Sequence, residues 1–384
     1  MIFTKNFVLT AFLNLFILIA YYMLFVICVP YAIEKFGANE SISALTAGFI
    51  LIGSLTGRLF SSKLLLKLGY RKIIFIGIFT YIASMILYPF ASNIYIFMIV
   101  RFFSGVGIGL IGSVAGTLIV NIIPKELHGQ AINYFSLSNV IAMALGPSIG
   151  LYLKQFISFD NIFLLCLFLG IFGLLFALFI KYPLYKIEYK KIKKFDIEDF
   201  IAKGAVPMAF IALLVSACYG CLQSFLSTYS QELNLENIGS LFFLVYAFCA
   251  FISRPVCGKV FDKRGENIII YPSLVLATIG FFIFCNANEA YIFLISSVFL
   301  GFGIANFQTS SQAVCIKLVE RKFFAQAIST YFIFVDLGIG VGPYFFGFLV
   351  KDYGYSGLFF MVGILNLVCI FLYYFIHGRK TKSI

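Results

Sequence analysis

Twelve apolar stretches, each long enough to cross a bilayer, limit what this 384-residue chain can fold into more than any other feature. They fall near 8–33, 42–62, 72–91, 94–121, 130–153, 161–182, 204–229, 237–257, 268–286, 290–315, 326–350 and 356–376, and a span needs about 20 predominantly apolar residues. Lipid offers backbone N–H and C=O groups no partner, so each stretch has to be helical. The expected fold class is all-α integral membrane, with twelve transmembrane helices.

Composition removes the soluble classes. Hydrophobic residues make up 62% of the chain and charged residues 11%, against about 45–50% and about 25% in soluble domains. The net charge of +12 does not point to nucleic acid, because the cations sit in short segments between apolar runs and not on one face. They orient the chain instead. With the N-terminus inside, Lys35, Lys154 and Lys351 fall outside and Arg101 lies within a span, which leaves 24 of the 28 basic residues inside. The positive-inside rule then expects a multi-pass protein of a bacterial-type inner (cytoplasmic) membrane with both termini cytoplasmic. The first stretch, after Lys5, is too long for a signal-peptide core and precedes no small-residue cleavage site, so it reads as a retained span. Nine cysteines scattered through apolar stretches act as small hydrophobes. Cys218 and Cys221 have no histidine nearby, and neither a metal site nor a cofactor is expected.

A single offset of 196 residues repeats the pattern without a gap over about 90 residues. It superposes Arg58 on Arg254, Gly69 on Gly265, Tyr95-Ile96-Phe97 on Tyr291-Ile292-Phe293, Gly105 and Gly107 on Gly301 and Gly303, and Gly146-Pro147 on Gly342-Pro343. Matches among apolar residues arise by chance, but arginine, glycine and proline coinciding at one offset do not. The chain therefore reads as two pseudo-symmetric six-helix halves, 1–184 and 204–384. The lysine-rich stretch 185–203 reads as an amphipathic cytoplasmic linker lying against lipid. Parallel repeats of this kind share an interface that opens to either side in turn.

The strongest local motif runs from Arg254 through Gly258, Asp262, Lys263 and Arg264 to Gly265, between spans eight and nine. It resembles the G-x-x-x-D-[RK]-x-G loop of the major facilitator superfamily. The resemblance implies an MFS-type fold and a conformational latch at Asp262, Gly265, Arg254 and Gly258. The first-half counterpart keeps Arg58 and Gly69 but has Ser62 for the first glycine and Leu66 for the aspartate. A carboxylate among cations on a short loop can make charge-assisted bonds in one conformation and release them in the other.

Arg101, with Ser104, Gly105, Gly107 and Gly109 after it, resembles the R-x-x-Q-G motif of the drug:proton antiporter branch, Ser104 standing for glutamine. Gly146, Pro147 and Gly150 resemble the core of that branch's G-P-x-x-G-G motif, with Ala142 and Leu151 in place of two of its glycines. Small residues four apart let two helices approach closely, and the proline loosens the helix. Asp336 is the other outlier, with its nearest acidic neighbours, Glu320 and Asp352, each 16 residues away. An apolar surrounding favours the neutral form of a carboxyl, so this mid-span aspartate reads as a proton carrier, and Arg101 as its partner in coupling if both face a central cavity. The resemblance further implies that spans 1, 4, 7 and 10 line that cavity. They carry Asn14, Tyr21 and Tyr22; Arg101 and Ser104; Gln223; and Asn306, Gln308 and Gln312.

The leading reading is a secondary active transporter, a proton-coupled exporter of a small amphiphilic solute that works as a monomer by alternating access. Its expected partners are that solute, protons and the bilayer, with no nucleic acid. A proton-coupled nutrient importer is the second reading, and a non-transporting membrane receptor the third. An enzyme is not expected: the two histidines, His128 and His377, lie at loop and tail positions, and no nucleophile–base pair, metal cluster or phosphate-binding loop occurs.

Overall fold

The structure, a computed structural model, describes residues 3–123, 128–182, 201–320 and 324–380. Among them the chain forms eleven α-helices and no strand: α1 (Lys5–Phe36), α2 (Glu40–Leu87), α3 (Ile94–Ile122), α4 (His128–Lys154), α5 (Phe159–Phe179), α6 (Val206–Glu232), α7 (Glu236–Arg264), α8 (Asn267–Cys285), α9 (Ala290–Lys317), α10 (Phe324–Gly347) and α11 (Val350–Ile376). The expected all-α membrane class holds. Eleven helices supply twelve segments because α2 contains two spans, Glu40–Ser61 and Lys67–Leu87, and changes direction at Gly69. The described apolar part of α4, Ile141–Lys154, is shorter than the other eleven spans.

Polar residues at the ends start and stop these helices. Thr4 accepts a bond from the Phe7 N–H at the start of α1, and Asn93 accepts from Ile96 at the start of α3. Gly37 closes α1 in the left-handed conformation, its N–H bonded to the Ile33 carbonyl.

Gly69 and Gly265 share one backbone state, φ 72° and ψ 171° for the first, φ 83° and ψ 171° for the second. A side chain strongly disfavours that region, so the duplicated turn depends on glycine at both places. The segment before each turn differs from the expected short loop, because α7 stays helical through Lys263 and Arg264 and α2 is helical up to Gly69. Cations in the last turn favour this continuation, since the C-terminal end of a helix carries partial negative charge.

The chain divides into two compact units, Met1–Ala38 with Thr46–Ile192 and Asn39–Leu45 with Lys193–Ile384. Most of the expected linker, residues 185–200, lies outside the described residues. In the first unit α1 packs on α3, α4 and α5; in the second α6 packs on α10 and α11, and α8 on α9 and α11. Two of these contacts bring backbones together. A Cβ added at Gly146 of α4 would lie 2.6 Å from the Tyr22 Cβ and 2.8 Å from the Ile19 carbonyl of α1. One added at Gly342 of α10 would lie 2.6 Å from the Ala217 Cβ and 2.9 Å from its carbonyl on α6. The glycines read from sequence as packing surfaces are therefore the contact points of equivalent helix pairs in the two units.

Overpacking a close contact costs about 1–3 kcal/mol. Gly146→Val and Gly342→Val are each expected to lower the thermal stability of the detergent-purified protein by about that amount, followed by intrinsic tyrosine fluorescence. An unchanged melting temperature in both would contradict this packing.

Candidate functional site

Arg101 stands on α3, seven residues after its first residue Ile94, and is fully buried. Its Nε donates to the Thr46 carbonyl of α2 at 2.9 Å. Ser104, one turn on, and Tyr88 are buried beside it, with the Tyr88 hydroxyl close to both Arg101 and Ser104. Among the described residues, the groups that act most on Arg101 are Cys28, Tyr88 and Tyr21. Asn14 of α1 is buried and donates to Ser138 Oγ at 2.8 Å and Asn139 Oδ1 at 2.9 Å on α4, so it joins two helices. Tyr21 and Tyr22 are half-buried with their rings 5.0 Å apart.

In the second unit Asp336 lies twelve residues after the start of α10 and eleven before its end, half-buried. Five residues before it Tyr331 donates from its hydroxyl to the Gln308 carbonyl of α9 at 2.6 Å. Gln223 is buried and donates to Tyr219 Oη at 3.1 Å on its own helix. Asn306 accepts from Ser253 Oγ at 3.1 Å and donates to the Phe302 carbonyl at 2.8 Å. It lines a cavity of about 290 Å³ between α7, α8 and α9 together with Ser253, Cys257, Pro272 and Ser273. Gln308 and Gln312 are half-buried. Arg101 and Asp336 thus belong to different units.

Of the latch residues, Gly69 and Gly265 form the two turns and Arg58 is exposed on α2. The side chains of Arg254 and Asp262, and the surroundings of Gly258, lie outside the described residues. The charge cluster that is described lies one residue beyond the motif and was not singled out from the sequence. Glu266, 3% exposed, takes a 2.8 Å bond from Lys317 Nζ at the end of α9 and a 3.1 Å contact from His377 Nε2 after α11. Its neighbour Asn267 donates to the Gly378 carbonyl at 3.0 Å and accepts from the Tyr373 hydroxyl at 2.7 Å. Burial alone would raise the Glu266 carboxyl, but the bonds from Lys317, a backbone N–H and His377 outweigh it and hold the group below the usual carboxylate range. At the 196-residue offset the first unit has a neutral pair in the same place, Tyr70 hydrogen-bonded to Asn121.

The profile of the Major Facilitator Superfamily matches residues 10–290 and 208–383. An uncharacterized MFS-type transporter of Methanocaldococcus jannaschii is 24% identical over 309 residues, covering 78% of this chain and 80% of the relative. The multi-drug resistance efflux pump PmrA of Streptococcus pneumoniae is 22% identical over 369 residues, 89% of each chain. A probable sugar efflux transporter of Helicobacter pylori is 22% identical over 350 residues, 88% of this chain and 85% of the relative. Among solved structures, an inward-facing, unoccupied bacterial homolog of the human lysosomal transporter Spinster superposes with a TM-score of 0.78 at 14% identity, covering 98% of both chains. The nucleoside transporter NupG gives a TM-score of 0.79 at 11% identity, covering 97% of this chain and all of the other. At such identities the structures speak to the fold alone.

The Glu266 cluster sets a pH dependence. A carboxyl whose folded-state value is depressed contributes stability above its unfolded value, about 4.3 for free glutamate, and loses it as pH falls through the folded value. Wild-type stability is therefore expected to fall on acidification through the carboxylate range. Glu266→Gln should flatten that part of the profile and cost about 1–3 kcal/mol at neutral pH, both read by thermal melts across a pH series.

Proposed function

The chain belongs to the major facilitator superfamily and is a multi-pass membrane transporter, not an enzyme, and on that premise we propose that it exports a small amphiphilic solute in exchange for protons by alternating access. The observation that carries this reading is Asp336, the one carboxylate in the middle of a span among the described residues. A carboxyl in that position takes up and releases a proton, and its two states differ by a full charge in an apolar surrounding.

The helix that bears Asp336 is built to pass that change on. Gly338 and Gly342 seat α10 on the backbone of α6, where small residues let helices shift by short distances without opening voids. Tyr331 ties the same helix to α9 at Gln308. The proton state of Asp336 is thereby coupled to the helices that carry Gln223, Asn306, Gln308 and Gln312. These hydrogen-bonding groups among aromatic neighbours suit a weakly polar, amphiphilic solute. Asp262, with Arg254, Gly258 and Gly265, serves as the latch, and Gly69 and Arg58 as its weaker counterpart.

Export is supported by the partial span-five motif at Gly146, Pro147 and Gly150, and by relatives that bear the names of efflux pumps. The distribution of lysine and arginine supports cytoplasmic termini in a bacterial-type inner membrane. The protein works as a monomer in this reading.

The solute is found by comparing a deletion strain with its parent in untargeted metabolite and toxin-sensitivity profiling. With that solute in proteoliposomes under an imposed pH gradient, Asp336→Asn is expected to abolish proton-driven transport while solute exchange at equal pH continues. Proton-driven transport at the wild-type rate in Asp336→Asn would end the reading. Accumulation driven in the direction of the proton gradient would replace export by nutrient import.

A further inference from the structure

The cavity of about 290 Å³ between α7, α8 and α9 has an exposed rim, formed by Ile252, Val256 and Ile268, and a buried floor of Ser253, Ser273 and Asn306. It therefore opens on the outer surface of the second unit, in helices read as crossing the bilayer.

The duplication shows why this hollow exists. At the 196-residue offset Ser253, Ser273 and Asn306 stand where the first unit has Gly57, Gly77 and Leu110. There the glycines let the helices meet. A Cβ added at Gly57 would lie 3.0 Å from the Leu110 N, and one added at Gly77 would lie 2.9 Å from the Gly107 carbonyl oxygen. Serine side chains at the two equivalent places prevent that approach, and Asn306 is held by Ser253 and the Phe302 carbonyl. Elsewhere α9 still touches both neighbours, at Gly301 against Tyr246 of α7 and at Gly303 against Ala277 of α8, so the gap is local.

Walls and position indicate the occupant. A hollow with apolar walls is a poor place for water or a free ion. Along α8 its lining runs from Ile268 to Leu276, about 12 Å at 1.5 Å per residue, which suits a length of acyl chain. Ile268 is the second residue of α8, so the hollow begins beside the Gly265 turn, where α7 ends in the exposed Lys263 and Arg264. Cations at a membrane surface attract anionic head groups.

We propose that this groove is a binding site for one anionic phospholipid, with an acyl chain between α7, α8 and α9 and the phosphate at Lys263 and Arg264. The site belongs to the second unit alone and is independent of proton coupling at Asp336.

The chain has no tryptophan, so a single introduced one reports lipid contact through quenching by brominated acyl chains. Ile252→Trp puts it on the rim. Phe251→Trp puts it one residue along the same helix, at nearly the same depth but outside the cavity, and both positions are about half exposed. The full-length variants are reconstituted in phosphatidylcholine vesicles with a rising fraction of dibrominated phosphatidylglycerol. Quenching of Ile252→Trp is expected to be half-maximal at a fraction at least about fivefold lower than that of Phe251→Trp, the preference that one surface cation supplies. Dibrominated phosphatidylcholine should quench the two alike. Adding Lys263→Gln and Arg264→Gln should return the Ile252→Trp curve to that of Phe251→Trp, and Cys257→Phe, which fills the groove from the α7 wall, should do the same. If the Cys257→Phe variant does not fold, the two charge variants carry the test. Equal curves for Ile252→Trp and Phe251→Trp overturn the proposal and leave ordinary boundary lipid. Equal preference for both lipids at Ile252→Trp, or a preference that survives Lys263→Gln with Arg264→Gln, overturns the anionic head group. Relief of the quenching by tetraphenylphosphonium overturns it in favour of an entrance for amphiphilic solutes. Loss of proton-driven transport in Asp336→Asn bears on the export reading alone.

Discussion

A bilayer gives polar groups nowhere to go, and this one constraint explains why the chain is helical and why its few polar side chains repay attention. The backbone is satisfied inside each helix. A polar side chain within a span then has to find another side chain or a carbonyl. Most do so locally or across one helix contact. Asn14 reaches Ser138 and Asn139, Gln223 reaches Tyr219, and Asn366 reaches the Leu274 carbonyl at 2.9 Å and Thr278 Oγ1 at 2.8 Å. Asn14, expected to face a solute, is thus engaged in holding two helices together, and Gln223 is bonded within its own helix.

The span count, the duplication and the turn glycines were legible in the sequence because each is a local or strictly periodic signal. Gly69 and Gly265 were marked by their common offset, and the structure adds that both adopt the same positive φ. Whether the motif before each turn was loop or helix was not legible. Lysine and arginine between apolar runs read as a solvated connection, yet they also favour the last turn of a helix, and the helix prevails. The Glu266 cluster was out of reach for a different reason. Lys317 is 51 residues away and His377 111, and nothing near Glu266 sets it apart from any other loop acid. Arg101 was conspicuous as a charge in a span, but that Tyr88 and Ser104 stand beside it could be known only once its neighbours were placed.

The same offset that reveals the duplication also shows how far the halves have diverged. Where one unit bonds Tyr70 to Asn121, the other bonds Glu266 to Lys317 and adds His377. Where one buries Arg101, the other has Ser297. The backbone plan is shared, and the charges are not.

The paired positions at 70/266 and 121/317 also restrict the order in which one solution can be exchanged for the other. Glu266 is 3% exposed while the Lys317 side chain is 61% exposed, so a lysine opposite a tyrosine can still reach solvent, but a glutamate opposite an asparagine leaves a buried carboxylate with only His377 beside it. A lineage passing from the neutral pair to the ionic one has a passable route only when the lysine arises first. The reverse passage has to lose the glutamate before the lysine, because it is the carboxylate, and not the ammonium, that has no access to water.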